Sequence, residues 1–276
     1  MSAPRIERAI TYAVLTMFAI GAIYPVISIL FLALHTKSDL VTGFAWPTDP
    51  KLDSFRAAWD QGSFATGFKS SFIVAAVVTV VSAVLALGTG YAFGTMRFRG
   101  DRPLFALFLL GIIFPYEATV IPLYYDFKDV GLLNTYWSLI LPQIGQSVAF
   151  GTFWMRAFFR STPRGLVEAA RIDGAGTFRV LTSVLLPQAR PALLTMCALV
   201  FTYTWNEFLL ALVLVSGAPD KQTAPLGLSF FAGAVRAGDP TKVAAAAVLV
   251  MLPIVIVYLV LQRHFVRGML AGAIKG

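Results

Sequence analysis

Long uninterrupted apolar stretches constrain this chain more than any other feature. The hydrocarbon core of a bilayer is about 30 Å thick and takes roughly 20 apolar residues per helical crossing. Six stretches of that order, each bounded by charge or proline, run over residues 10–34, 69–94, 104–124, 136–159, 191–215 and 243–261. With 58% of its 276 residues hydrophobic and 13% charged, the chain lacks the polar surface that a soluble domain of this length needs. The expected fold class is therefore all-α, a polytopic membrane protein with six transmembrane helices. Residues 1–276 are read as a single transmembrane domain, with a cytoplasmic loop at 160–190. The first stretch follows Arg5 and Arg8 but is about twice as long as the apolar part of a secretion signal, and no small-residue cleavage pattern follows it. It reads as a retained anchor.

Basic residues set the orientation, because cytoplasmic segments accumulate Lys and Arg. With the N-terminus inside, the cytoplasmic set is Arg5, Arg8, Arg97, Arg99, Arg102, Arg156, Arg160, Arg164, Arg171, Arg179, Arg190, Arg263, Arg267 and Lys275, which is 14 of the 22 bases. The other side holds most of the acids, among them Asp39, Asp49, Asp53, Asp60, Asp126, Asp129, Asp220 and Asp239. Both termini are thus expected in the cytoplasm. The net charge of +8 lies on the flanks of apolar helices and forms no soluble basic face, so no nucleic-acid partner is expected. Membrane lipids are the expected surroundings.

Cys197 is the single cysteine, which excludes an intrachain disulfide and a thiolate metal cluster. His35 and His264 fall at opposite membrane faces, so no metal site is expected. Gly88 and Gly90 are not followed by Lys-Ser/Thr and make no phosphate loop, and no other segment does. No nucleophile, base and orienting group assemble as an enzyme requires. Ser82, Ala86, Gly90 and Gly94 form a small-residue stripe at four-residue spacing. Such a stripe lets another helix approach closely, from this chain or from a partner. The segment 36–68 carries Phe44, Trp46, Phe55 and Trp59, suited to an interfacial anchor or a binding surface. The apolar residues 226–231 are too few to cross and are expected at the outer surface.

The segment 161–191 reads STPRGLVEAARIDGAGTFRVLTSVLLPQARP. Thr162 is a good N-cap, and Pro163 suits the first helical position. Gly174 is placed to end the first short helix. Thr177 would cap a second one, which Pro187 and Pro191 would break ahead of the fifth crossing. A helix, a glycine elbow and a second helix make a compact protrusion, either an inner-surface cap or a lever for a soluble partner.

Glu168-Ala169-Ala170, Gly174 after three intervening residues, and Val184-Leu185-Leu186-Pro187 resemble the EAA signature of binding-protein-dependent ABC importer permeases. Phe98-Arg99-Gly100, Ile121-Pro122-Leu123-Tyr124, the run Gly131-Leu132-Leu133-Asn134-Thr135, Trp205-Asn206-Glu207-Phe208 and the tail Gly272 to Gly276 extend the likeness. They point to the maltose-importer type of carbohydrate permease, in its MalG-like form. The resemblance implies the ABC importer permease fold and a coupling segment that docks on an ATPase, with Glu168, Ala169, Ala170, Asp173, Gly174, Leu186 and Pro187 as its residues. It implies four further subunits and an address. The partners are a second homologous permease subunit (MalF-like), two ATPase subunits and an extracytoplasmic solute-binding protein, and the address is the bacterial or archaeal cytoplasmic membrane. The chain itself would bind no cofactor, ATP and Mg belonging to the ATPase subunits.

Ionisable side chains inside a bilayer are costly and ask for a reason. Glu117 follows Pro115 and Tyr116 in the third stretch, and Glu207 follows Trp205 and Asn206 in the fifth. Pro115 and Pro122 are expected to kink the third helix. Sugars present hydroxyls and C–H faces, so Tyr116, Glu117, Gln143, Trp205, Asn206 and Glu207 are suitable lining for a translocation path. The same side chains would serve equally to bond neighbouring helices. The expected solute is a sugar, with glycerol phosphate or another polar metabolite as the alternative. An autonomous channel or ion-coupled carrier would leave the EAA segment without a role.

Overall fold

The computed structural model describes residues 5–36, 46–47, 49–235 and 238–273. Phe44 and Asp39 of the outer segment and the last three tail residues lie outside them. The helices are α1 (Arg5–Ala33), α2 (Asp53–Gln61), α3 (Phe64–Thr95), α4 (Asp101–Ile113), α5 (Val120–Asp129), α6 (Tyr136–Ser161), α7 (Arg164–Ile172), α8 (Thr177–Arg179), α9 (Leu186–Asn206), α10 (Leu209–Leu214), α11 (Ala224–Val235) and α12 (Pro240–Ala273). A 3-10 turn over Tyr116–Thr119 leads into α5, and a π-helix over Val180–Leu185 joins α8 to α9. Among the described residues there is no strand.

Among the described residues four helices are long and apolar enough to cross a bilayer alone: Ile6–Ala33, Phe64–Thr95, Thr177–Asn206 and Pro240–Gln262. The third predicted crossing, 104–124, is a bent pair, Asp101–Ile113 and Tyr116–Asp129, turned by 86°. The cause is local. Phe114 is extended at ψ 126° because a residue before proline avoids the helical region, and Pro115 brings no N–H to continue the ladder. Pro122, also expected to kink, lies within the second arm of the bent pair, near the join of the 3-10 turn and α5, and marks no break of its own. The fourth predicted crossing, α6, has 26 residues but is diluted by Pro142, Gln143, Gly145, Gln146 and Ser147. Several of its residues are buried, from Ser138 to Phe159, so one side of it packs against protein, while Trp137, Leu141 and Phe153 stay exposed. Of the six predicted crossings, four thus coincide with helices apolar enough to span alone and one with the bent pair, while the fourth, α6, falls short of that apolarity.

The chain forms two compact units. In the first, Met1–Ala65 with Gly227–Leu252, the start of α12 is capped by Asp239, whose Oδ1 accepts from the Thr241 N–H at 3.2 Å and its hydroxyl at 2.7 Å. Thr241 in turn meets Ser54 of α2 at 3.0 Å, and Phe64 packs edge-on against Phe231.

In the second unit, Thr66–Leu226 with Pro253–Gly276, α6 is central. The small-residue stripe of α3 faces it: a Cβ on Gly90 would lie 2.5 Å from Met155 Cβ, and one on Gly94 would lie 2.7 Å from Phe159 Cβ. Gly151 of α6 answers in kind, leaving room for Ala86. Sequence left the owner of this contact open; it is a helix of the same chain. Thr89 and Thr152 hydrogen-bond across the crossing at 2.6 Å. Arg156 donates through Nε to the Phe93 carbonyl at 3.2 Å and lies 3.7 Å over the Phe105 ring, which ties α3, α4 and α6 together. Trp154 donates to the Ala192 carbonyl at 3.0 Å and holds α9. The N-terminus of α11 is seated on α3, where Ala224 N–H donates to Ser71 at 2.8 Å and Gly67 leaves space for the backbone of Ala224.

Candidate functional site

The segment 161–191 departs from expectation at both ends. Thr162 caps nothing: α6 runs on to Ser161, so Thr162 closes it, and its hydroxyl donates back to the Phe158 carbonyl at 3.3 Å. Pro163 precedes the first helical residue, Arg164. Pro187 and Pro191 do not break the chain, because Thr177–Asn206 is one continuous helix. The wide π turn ahead of Pro187 accommodates its ring without the usual clash against the carbonyl four residues back.

Between these ends lies a sharply defined elbow. Gly174 ends α7 in the left-handed region at φ 79°. Its N–H donates to the Arg171 carbonyl at 3.0 Å, and the Ala175 N–H donates to the Ala170 carbonyl at 2.9 Å. This pair of bonds is a Schellman closure, which satisfies two otherwise orphaned carbonyls and requires glycine at the turn. Leu166, Val167 and Ala170 form the inner stripe of α7 against the core, as i, i+1, i+4 spacing dictates. Glu168, Ala169 and Asp173 are on the exposed side; Leu186 is half-buried and Pro187 is exposed.

Two apolar side chains of this elbow escaped the sequence reading. Ile172 is 86% exposed and Phe178 is 77% exposed, one on each side of Gly174. Their signal was available: Ile172 falls off the stripe set by Leu166, Val167 and Ala170, so it cannot share the buried face.

The candidate path residues separate into distinct environments. Tyr116 and Glu207, 91 positions apart in sequence, are bonded: the tyrosine hydroxyl donates to Oε2 at 2.8 Å. Glu207 Oε1 accepts the Leu210 N–H at 2.8 Å, at the start of α10. The fifth predicted crossing, 191–215, is therefore interrupted at Glu207, whose backbone is extended at ψ 118°. Asn206 and Glu117 are exposed, and Asn206 Nδ2 donates to the Thr202 carbonyl at 2.8 Å. Trp205 is 1% exposed, stacked on Phe201 and edge-on to Phe68. Gln143 is 5% exposed, and its amide donates to the Leu139 carbonyl of its own helix at 2.9 Å. The structure thus joins Tyr116 to Glu207 and turns Gln143 and Trp205 into the protein. Among the described residues no group of three metal-binding side chains assembles.

Comparison with known proteins places these features in a family. Residues 85–271 match the family described as the binding-protein-dependent transport system inner membrane component. The trehalose transport system permease protein SugB of Mycobacterium tuberculosis is 34% identical over 98% of this chain and 99% of its own. The maltodextrin transport system permease protein MdxG of Bacillus subtilis is 29% identical over 100% of this chain and 99% of its own. A chain in the crystal structure of a bacterial ABC transporter involved in the import of the acidic polysaccharide alginate superposes with a TM-score of 0.80 at 27% identity, covering 96% of this chain and 99% of that one. A chain of the MetNI methionine ABC transporter shares the fold at a TM-score of 0.57 and 18% identity, over 74% of this chain and 95% of its own. The chain is a helical membrane protein with the ABC importer permease fold, and it belongs to the family of binding-protein-dependent transport system inner membrane components.

Proposed function

We propose that this chain is the permease subunit of an ATP-driven importer for a neutral sugar or oligosaccharide, delivered by an extracytoplasmic binding protein. The observation that carries the reading is the rigid elbow around Gly174, which presents Glu168, Ile172 and Phe178 outward from an otherwise packed helical body. An exposed apolar pair beside a carboxylate suits a cleft on a soluble partner, and helices transmit a push that a loose loop would absorb. In this reading six segments cross the membrane as one permease domain, both termini and the elbow are cytoplasmic, and two ATPase subunits dock at elbows of this chain and a homologous second permease. The chain then needs no ATP site of its own, ATP and Mg being held by the ATPases.

The carbohydrate assignment draws on the relatives, which carry trehalose and maltodextrin in their names. Acids rather than bases stand at the interrupted crossings, which favours an uncharged solute over a phosphate ester. The path passes the two interruptions, with Glu117 and Asn206 as polar lining, Tyr116 and Glu207 at its edge, and Gln143 and Trp205 shaping its wall from within.

The test is uptake of a panel of radiolabelled sugars by vesicles containing this chain, the second permease and the ATPases, with internal ATP and external binding protein each present or absent. Uptake requires both. Glu168→Lys reverses the charge on the exposed face of α7, and Gly174→Pro demands φ near −65° where the chain holds 79°. Each abolishes ATP-dependent uptake while leaving the chain inserted. Uptake by this chain alone without ATP, or normal uptake in both variants, overturns the reading.

A further inference from the structure

Two crossing segments are interrupted, and the interruptions meet. α4 ends at Ile113 and turns through extended Phe114 and Pro115; α9 ends at Asn206 and turns through extended Glu207. Glu207 occupies the junction with both carboxylate oxygens engaged, Oε2 by the Tyr116 hydroxyl and Oε1 by the Leu210 N–H, each at 2.8 Å. The Leu210 N–H belongs to the first turn of α10, where no helical carbonyl is available to it. One side chain therefore caps the new helix and holds the other break.

Past the breaks, α5 and α10 run in contact with each other. They are tied again at their far end, where the Asn134 N–H donates to the Leu214 carbonyl at 2.9 Å. Gly217 leaves space there for the Asn134 side chain, since a Cβ on it would come within 3.1 Å of Oδ1. The two continuations are thus fastened at both ends, while each joins its parent helix only through a few non-helical residues.

We propose that Tyr116 and Glu207 are a positioning clasp that sets α5 and α10 as one body on the breaks of α4 and α9, and that the polar groups offered to a passing solute are their exposed neighbours Glu117 and Asn206. The proposal rests on the permease reading above. A carboxylate kept from water is tolerated when its oxygens have donors, and Glu207 has one for each. Glu117 makes no side-chain hydrogen bond or ion pair among the described residues, and the Asn206 carbonyl oxygen is left outside the bond its amide makes to Thr202. A body held by one side-chain bond at its hinge has two discrete arrangements available, which alternating access requires.

The test uses the complete complex of both permeases, both ATPases and the binding protein in liposomes, with MgATP hydrolysis and uptake of the radiolabelled sugar that the wild-type complex carries best in the panel above as readouts. Tyr116→Phe removes the clasp without changing shape, and Glu207→Met, similar in size but without a strong acceptor, removes it together with the cap of α10. Each raises hydrolysis in the absence of binding protein by roughly 3- to 20-fold, the range spanned by a single interhelical hydrogen bond in a membrane. The double variant rises no further than the larger single, because one bond is being removed. Gly88→Ala, which meets nothing within 4 Å, leaves this rate unchanged. In uptake, the clasp variants lower the maximal rate at constant KM, whereas Glu117→Gln and Asn206→Ala raise KM. Wild-type idle hydrolysis in both clasp variants, additive effects in the double, or a raised KM in Tyr116→Phe overturns the clasp. Should Glu207→Met fail to assemble, Tyr116→Phe alone decides. A wild-type complex without ATP-dependent transport of any sugar instead overturns the permease reading and is recognised before any variant is made.

Discussion

Replacing Gly90 by alanine adds one methyl group, and its cost follows from the crossing of α3 and α6. The new Cβ would stand 2.5 Å from Met155 Cβ and 3.1 Å from the Arg156 amide nitrogen. Non-bonded carbons rest at about 3.5–4.0 Å, so the helices must part by roughly 1 Å. Neither Met155 Cβ nor the Arg156 backbone is the end of a flexible side chain, and no rotamer change absorbs the strain. Parting also loosens the neighbouring contacts of Gly94 with Phe159 and of Gly151 with Ala86. Overpacking of this kind costs about 1–3 kcal/mol, and the present geometry belongs in the upper half of that range. Alanine in place of glycine returns about 1 kcal/mol of helix propensity. The net expectation is a loss of about 1–2 kcal/mol for Gly90→Ala. Gly88→Ala, two residues away on the same helix with nothing within 4 Å, keeps the propensity gain alone. Unfolding of the two purified variants in mixed micelles, followed by tryptophan fluorescence against detergent composition, should separate them by about 2–3 kcal/mol. Equal stability of the two, or a more stable Gly90→Ala, would refute the close crossing.

Other consequences are as direct. Phe178→Asp and Ile172→Glu place charge on side chains that are largely exposed, so the chain inserts normally while ATPase co-purification falls at least tenfold, about 1.4 kcal/mol in binding. Trp205→Ala empties a site that is 1% exposed and lowers stability by about 3–5 kcal/mol, read as a drop in the thermal midpoint of the detergent-solubilised chain. Asp239→Ala removes the cap of α12 and costs about 1 kcal/mol in the same measurement, with Asp239→Asn retaining most of it.

How far the sequence could be read depended on whether the deciding interaction was local. Gly174 was legible because a single position fixes the backbone it needs, and the two Schellman bonds lie within six residues of one another. The break at Pro115 was legible for the same reason: proline and the residue before it settle the turn between themselves. The break at Glu207 was hidden. Trp205-Asn206-Glu207-Phe208 contains no proline or glycine, and the chain leaves the helix there because a side chain caps α10 and meets a tyrosine from a distant segment. Pro187 misled in the opposite direction, since the π-helix ahead of it takes up what an α-helix would refuse, and Pro191 lies inside α9 without ending it. The stripe on α3 announced close packing but not its partner, which depends on Gly151 and the β-carbons of Met155 and Phe159 on another helix. Gln143 and Trp205 were chosen by chemical type, and only their burial separates them from Glu117 and Asn206.

The π-helix has a consequence for exchanging parts between relatives. A π turn spends one more residue than an α turn before its hydrogen bond closes, so Val180–Leu185 sets the rotational phase between the elbow and α9. Deleting one residue there lets the segment close as an α turn with nearly the same rotational phase, so a chain one residue shorter at this point presents its elbow on the same side of α9. Val180 and Leu185, both fully buried, share a face at five-residue spacing because of the π turn, and an α turn would keep them on one face at four-residue spacing. Grafts that carry a foreign elbow onto this chain must therefore keep either the π turn at this length or an α turn one residue shorter, since any other one-residue change turns the elbow by about 100° relative to α9.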